Sequence, residues 1–234
     1  MVTKLRDGVW QIDCGSVNAY LADDRDDEDG AVTLVDAGTP LDANTIRAAV
    51  ADAGFAMDDI GRVLVTHYDV DHVGGLAELG LDATVYIGAG DAAFYTGDEK
   101  PPFGNRKGAF QRLAGAFITP AESVTGVADG DTVGSFTVYH TPGHTPGHVA
   151  YVSEALSVAF VGDLVVESDG RLERSPWHLS YDTDRVVDSV HYLADAEPAV
   201  EVLAMGHGTP FVRDGAVRLA ELGERLEGGP VSRT

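Results

Sequence analysis

Short apolar runs rich in β-branched residues recur along the chain, and most are too short to be helices. In the first half, such runs, which are typical of buried strands, lie at 17–22, 31–36, 62–67 and 84–88. In the second half they lie at 135–140, 150–152, 157–163 and 200–205. Apolar residues three and four positions apart instead predict helices at about 42–53, 184–194 and 213–226. The segment 89–117 is predicted to be helix and loop.

The alternation of strands and helices is repeated in the two halves of the chain. This order predicts an α/β fold in which two sheets pack face to face with helices outside them. No linker or low-complexity segment divides the chain, so we expect one domain over 1–234 with two similar halves, roughly 1–118 and 119–234. The acidic stretch 23–30 lies between two predicted strands and is expected to be a solvated hairpin loop.

The chain is strongly acidic, with 38 acidic against 16 basic residues and a formal net charge of −22. A field of this sign repels nucleic acid and anionic membranes, so neither is an expected partner. The composition resembles that of proteins from halophiles, in which molar salt shortens the Debye length to about 3 Å and makes such a charge tolerable. An ordinary acidic protein is the alternative.

The expected location is the cytoplasm. No apolar run approaches the ~20 residues that span a bilayer, and the first ten residues lack the apolar stretch of a signal peptide. Cys14 is the single cysteine, which excludes an internal disulfide and a cysteine-based zinc site. A small molecule is the expected partner, and a homodimer stays open.

A crowded polar loop follows the predicted strand at 62–67. Its sequence, T-H-Y-D-V-D-H-V-G-G, places His67, Asp69, Asp71 and His72 within six positions. Such side chains would repel one another or stay unsatisfied unless they bind something, and imidazole and carboxylate are ligands for zinc, iron or manganese. Positions 67, 69 and 71 can face one way from an extended segment and His72 another, which favours two ions over one. A solvated acidic loop is the alternative.

Three further candidate ligands stand at predicted strand ends. His144 lies in the turn-rich segment T-P-G-H-T-P-G-H, Asp163 ends the strand F-V-G-D, and His207 follows the strand V-L-A-M. Each alone could be a cap or turn residue, so the ordered set is the stronger signal. His148 is predicted to be a packed core histidine and His140 a strand residue.

The ordered set H-x-D-x-D-H, T-P-G-H-T, G-D and G-H resembles the metallo-β-lactamase superfamily, over about residues 9–212 and including the turn D-A-G at 36–38. The resemblance implies a four-layer αββα sandwich of two mixed sheets with a two-metal site at one edge. It also implies a ligand assignment by position: His67, Asp69 and His144 for the first ion, Asp71, His72 and His207 for the second, and Asp163 as the bridge. Zinc is the expected metal, with iron or manganese as alternatives.

Asp69 departs from the usual H-x-H-x-D-H pattern, which has histidine at this position. A carboxylate here would raise the pKa of a bridging water and make the site harder in ligand type. It is also shorter than histidine, so the first ion must shift, bind through a water or be absent. The flavodiiron proteins of the same superfamily carry a carboxylate at this position and bind two irons, but they also carry a flavodoxin domain.

The resemblance implies a metal-dependent hydrolase in which a metal-bridging hydroxide attacks a small ester, thioester, lactone or phosphoester. Asp71 is the candidate catalytic residue, because it could hold or pass the proton of the nucleophile. A non-haem iron protein of the same fold, either a dioxygenase or a di-iron redox protein, is the alternative. A degenerate member with a weakly metallated site is the third hypothesis.

The segment 100–117 is a cationic island on this acidic chain, with four basic residues and no acidic one. By analogy it lies near the metal cleft, where Arg106 and Lys107 could grip a substrate carboxylate or phosphate. A helix whose basic face pairs with nearby acids is the alternative. Tyr68, between two candidate ligands, could line the pocket or be packing.

Overall fold

The structure, a computed structural model, describes residues 1–228. Fourteen strands lie within this range. Those of the N-terminal part are β1 Val2–Arg6, β2 Val9–Asp13, β3 Asn18–Asp23, β4 Val32–Val35, β5 Ile60–Val65, β6 Thr84–Gly88 and β7 Val124–Val127. Those of the C-terminal part are β8 Thr132–Val133, β9 Phe136–His140, β10 Val149–Ser153, β11 Val158–Gly162, β12 Val165–Ser168, β13 Arg171–Arg174 and β14 Val202–Met205.

Seven α-helices connect or flank these strands. They are α1 Ala43–Asp52, α2 Val70–Val73, α3 Leu76–Leu79, α4 Ala89–Thr96, α5 Arg106–Ala114, α6 Thr183–Asp195 and α7 Gly215–Gly228. Short 3-10 helices lie at Met57–Asp59, Gly115–Phe117 and Trp177–Leu179. Two helices have side-chain caps: the Asn105 carboxamide oxygen at the start of α5 and the Asp182 carboxylate at the start of α6 accept backbone N–H groups.

The strands form two mixed sheets. The first sheet has the order β1-β2-β3-β4-β5-β6-β7, antiparallel from β1 to β4 and parallel from β4 to β7. The second has the order β14-β11-β10-β9-β8, in which only the pairing of β11 with β14 is parallel. Strands β12 and β13 form a separate hairpin.

Successive side chains along a strand point to opposite faces of its sheet, so each sheet packs against the other sheet on one face and against helices on the other. In β5, Val63 and Val65 face the helices outside the first sheet, whereas Leu64 faces the second sheet. In β11, Phe160 packs between the sheets, whereas Ala159 packs with residues of α6 and α7. The two sheets therefore share one core and each has a helical core on its outer face, which is the predicted αββα sandwich.

The predicted elements are found with small shifts at their ends. The helix predicted at 42–53 is α1, and those at 184–194 and 213–226 are α6 and α7. The acidic stretch 23–30 connects β3 and β4, which pair antiparallel, so the hairpin loop is confirmed. Strand β7 lies beyond the expected division at residue 118 and still belongs to the first sheet, because it pairs parallel with β6.

Among residues 1–228, no helix is both long enough and apolar enough to cross a lipid bilayer.

Candidate metal centre

The candidate ligands lie at one edge of the two sheets, where several strands end. His67 follows β5, Asp163 follows β11 directly, and His207 follows β14. His144 lies in the tight loop that connects β9 and β10. The fold therefore brings together side chains that are far apart in the sequence.

The crowded loop supplies the rest through a very short helix. Asp69 is the residue before α2, with an extended backbone, and Asp71 and His72 lie in its single turn. The backbone changes from extended to helical between Asp69 and Asp71. The Asp69 carboxylate therefore lies near His67 and His144, whereas the Asp71 carboxylate lies near His207.

One group consists of His67, Asp69 and His144, whose ligand-type atoms lie within 4.8 Å of one another. Asp69 Oδ2 is 3.2 Å from Nε2 of His67 and 3.2 Å from Nε2 of His144. These are the three residues predicted for the first ion, and the structure places them together.

A second group consists of Asp71, His72 and His207, again within 4.8 Å. Asp163 lies between the two groups: its Oδ2 is 3.4 Å from His144 Nε2 and 3.2 Å from His207 Nε2. Its Oδ1 is 3.6 Å from His72 Nε2. The position suits the bridging role predicted for Asp163, and that role stays a prediction.

All four histidines direct Nε2 into the centre and engage Nδ1 elsewhere. The Nδ1 partners are the Thr66 hydroxyl at 3.0 Å for His67, Asp36 Oδ2 at 2.8 Å for His72, the Ser175 hydroxyl at 2.9 Å for His144 and the Ser16 carbonyl at 2.6 Å for His207. Partners of this kind fix the ring orientation and leave Nε2 as the ligand atom. In the sequence Asp36 stands out only as part of the D-A-G turn, and no pattern points to the other three partners.

Two buried polar atoms in the centre have no hydrogen-bond partner within the described chain: His72 Nε2 and Asp163 Oδ1. A buried polar atom without a partner is costly, and a cation placed between these two would satisfy both. The residues present therefore fit a divalent metal ion on the side of His72 and Asp163.

The protonation of two histidines reflects their carboxylate neighbours. Burial alone lowers the pKa of His72, but Asp36 and Asp163 outweigh it and raise the pKa to about 10. Burial likewise opposes the charged form of His207, and its hydrogen bond with Asp163 raises that pKa to about 9. Both imidazoles would have to lose a proton to bind a metal ion.

His144 differs, because its pKa is lowered to about 3 by burial and then by the positive charge of Lys107. Its Nε2 is a hydrogen-bond partner of the Lys107 ammonium, which also lies 2.6 Å from Asp69 Oδ2. Burial would raise the pKa of Asp69, but Lys107, His67 and His144 lower it well below its usual value.

Helix α5 therefore contacts the first group directly. Lys107 and Gln111, four positions apart on one face of the helix, both contact Asp69, and the Gln111 amide is 2.7 Å from Asp69 Oδ1. Gln111 also accepts the Tyr181 hydroxyl and donates to the Tyr68 carbonyl. No sequence pattern identified Gln111.

The two loops of the centre are joined by Asp91, at the start of α4. Its carboxylate accepts the backbone N–H of Tyr68 at 2.8 Å, the Thr145 hydroxyl at 2.6 Å and the backbone N–H of Gly147 at 2.7 Å. Burial raises the pKa of Asp91. This carboxylate, which has no motif of its own, positions the loops that carry His67 and His144.

His148 is a core histidine, as predicted. It is fully buried, its Nε2 accepts the backbone N–H of Asp163 at 3.1 Å, and its Nδ1 is 2.8 Å from the Thr141 hydroxyl. Its pKa is well below the usual value because it is buried. His140 lies in β9, as expected.

The Tyr68 ring packs in the core against Phe94 and Tyr95, whereas the sequence analysis had considered it for the pocket wall. The reason is that residues 67 and 69 face the centre, so the side chain between them points the other way.

A cleft of about 400 Å³ opens above the centre. Its lining residues are Asp69, Asp71, Arg106, Lys107, Phe110, His144, Asp163, His178, Leu179 and His207. Arg106 lies at the cleft, as the sequence predicted, and its role toward a substrate stays a prediction. The 3-10 helix Trp177–Leu179 contributes His178 and Leu179 to the cleft wall.

Comparison with known proteins identifies the family of the chain. Residues 12–211 match the family model described as Metallo-beta-lactamase superfamily. The chain is 27% identical over 223 residues to the probable metallo-hydrolase YflN of Bacillus subtilis, covering 85% of this chain and 84% of that protein.

Solved structures show the same fold. A metallo-beta-lactamase family protein from Thermus thermophilus has a TM-score of 0.70 at 24% identity, covering 96% of this chain and 81% of that one. The subclass B3 metallo-beta-lactamase BJP-1 of Bradyrhizobium japonicum has a TM-score of 0.65 at 19% identity, covering 97% and 92%. The chain belongs to the metallo-β-lactamase superfamily, and it is a hydrolase of that fold.

Proposed function

We propose that the chain hydrolyses a small ester, thioester, lactone or phosphoester with divalent metal ions at the His–Asp centre. The observation that carries the proposal is the convergence of four imidazole Nε2 atoms and three carboxylates, with every Nδ1 already engaged outside the centre. Bound ions would supply Lewis acidity and lower the pKa of water.

The candidate holders of an ion form two groups around Asp163. Asp71, His72 and His207 form one, and His67, Asp69 and His144 form the other. Zinc is the proposed metal because imidazole and carboxylate together are its usual ligands at catalytic sites.

Asp71 is the proposed proton acceptor of the reaction. Its side chain lines the cleft and is 31% exposed, and its Oδ2 is 3.5 Å from His207 Nε2. A carboxylate that is open to the cleft can accept a proton from an attacking water and return it to a leaving group.

The cleft walls suggest a substrate with an anionic end and an apolar part. Arg106 offers a guanidinium that can pair with a carboxylate or phosphate. Phe110 from α5 and Leu179 from the 3-10 helix Trp177–Leu179 line the same cleft. A small anionic ester or lactone with an apolar substituent would use both kinds of contact.

The test combines metal content with activity. Protein purified at high salt is measured by inductively coupled plasma mass spectrometry and then assayed against nitrophenyl esters, a lactone series, thioesters and nitrophenyl phosphates. The expected result is zinc in the protein and hydrolysis of one class that is lost on chelation and restored by zinc.

A non-haem iron protein is the competing function, favoured by the three carboxylates in the centre, since harder ligands suit iron and manganese. Iron in the purified protein together with oxygen uptake would replace the hydrolase proposal with this one. Protein free of metal and without activity would instead indicate a degenerate centre.

A further inference from the structure

The Lys107 ammonium lies between the side chains of Asp69 and His144, at the position expected for the first metal ion. Its Nζ is 2.6 Å from Asp69 Oδ2 and is also a hydrogen-bond partner of His144 Nε2. These are two of the three side chains of the first group. The ammonium therefore uses the carboxylate oxygen and the imidazole lone pair that an ion would need.

We infer that the ε-ammonium of Lys107 takes the place of the first metal ion, so that the chain holds one ion, among Asp71, His72, Asp163 and His207. The inference rests on the proposed function only in that the centre binds metal. It assigns to Lys107 the role of a fixed cation beside the single ion.

Charge supports this arrangement. One divalent ion and one ammonium together match the formal charge of the carboxylates Asp69, Asp71 and Asp163. Two divalent ions beside the ammonium would leave an excess of two positive charges in a largely buried centre, where like charges repel strongly. An ion at the first position would have to displace Lys107.

Displacement is opposed by the way α5 is held. The Asn105 side chain accepts the backbone N–H of Lys107 at 2.9 Å and donates to the Tyr181 carbonyl at 3.1 Å. A side chain at Gly108 would approach the Pro102 carbonyl oxygen to 2.5 Å, so the helix packs closely against its preceding loop. The Lys107 side chain is only 7% exposed.

The position of Lys107 within α5 also requires an explanation. It is the second residue of the helix, where the helix dipole disfavours a cation. Asp69 is the carboxylate that compensates for this. A neutral histidine at position 69, as in the usual motif of the superfamily, could not compensate for the unfavourable position of the cation. The aspartate at position 69 and the lysine at position 107 therefore depend on each other.

Metal stoichiometry tests the inference. Metal-free protein is loaded with excess zinc at high salt, desalted and measured by mass spectrometry. We expect one zinc per chain in the wild type and two in Lys107→Met and in the double variant Asp69→His/Lys107→Met. Lys100→Ala, which removes an exposed lysine from the same segment, is the matched control and should stay at one.

Lysine reactivity in the wild type provides a test that needs no variant. The chain has three lysines, and Lys4 and Lys100 are exposed. Reductive methylation followed by peptide mass spectrometry should modify these two and leave Lys107 unmodified, both with and without zinc. Methylation of Lys107 only in zinc-loaded protein would mean that the ion displaces it.

Two zinc ions in the wild type, or one in a folded Lys107→Met protein, would also overturn the inference. Either result together with zinc-dependent hydrolysis leaves the proposed function standing. Wild-type protein that takes up no zinc and hydrolyses nothing overturns the proposed function and the inference together.

Discussion

Asp36 offers a direct test of how the centre orients its histidines. It lies just after β4 with a positive φ of 55°, and its carboxylate accepts the backbone N–H and the hydroxyl of Thr66, each at 2.8 Å. The same carboxylate is 2.8 Å from Nδ1 of His72. The perturbation is Asp36→Asn, which preserves shape, and asparagine tolerates this backbone conformation.

The physical effect follows from the donors available. The asparagine oxygen would go to the Thr66 N–H, which leaves the NH₂ group facing His72 Nδ1. For His72 Nε2 to bind a metal, Nδ1 must carry the proton, and two donors would then face each other. His72 must either lose this partner or move its proton to Nε2, where the proton blocks the ligand atom.

Loss of such an outer partner costs about 10–100-fold in metal affinity, or about 1.4–2.7 kcal/mol. The assay is competition for zinc between the metal-free protein and a chromophoric chelator. Asp169→Asn is the matched control, since Asp169 also has a positive φ, is exposed and lies in the β12–β13 turn. Thermal unfolding in the presence of a chelator checks that both variants are folded. Zinc affinity of Asp36→Asn within about twofold of the control would refute the reasoning.

Three further predictions follow from the same structure. Without metal, the pKa of His72 is about 10 and that of His207 is about 9, so zinc uptake at pH 7 should release protons and zinc affinity should rise with pH toward 9–10. Titration calorimetry in buffers of different ionisation enthalpy measures the number of protons released. Zinc uptake without proton release would contradict this prediction. Arg106→Ala should raise KM for an anionic substrate about twofold to fivefold, as for an exposed ion pair, and leave a neutral ester unchanged; equal effects on both would remove its proposed role. Phe160→Ala should lower the free energy of unfolding by about 3–5 kcal/mol in urea titrations, since the ring is buried between the sheets. Phe103→Ala, at 65% exposure, is its control and should change stability by no more than about 0.5 kcal/mol.

Several elements escaped the sequence analysis although local signals for them exist. Strands β1 and β2 flank the dipeptide Asp7–Gly8, and β12 and β13 flank Asp169–Gly170, in which both residues have positive φ. An Asp-Gly pair between short strands is a hairpin signal, and positive φ at both positions is that of the turn type favoured in two-residue hairpins. These hairpins could therefore have been predicted.

The sequence by itself determined the buried strands β3 to β6, β9 to β11 and β14, the main helices and the candidate ligands. These depend on local properties: a two-residue alternation makes a strand, and a polar residue within a few positions of the end of a buried strand lies near the edge of a sheet. His67, His144, Asp163 and His207 could be identified for this reason.

Only the tertiary structure decided what supports those ligands. Asp69 and Lys107 are 38 positions apart, and Asp91 joins loops that carry His67 and His144, with no pattern in the sequence that links them. Such contacts depend on how helices α4 and α5 pack over the sheet edge. Local preferences along the chain cannot specify them, because the same lysine or aspartate would be equally acceptable on a solvated helix.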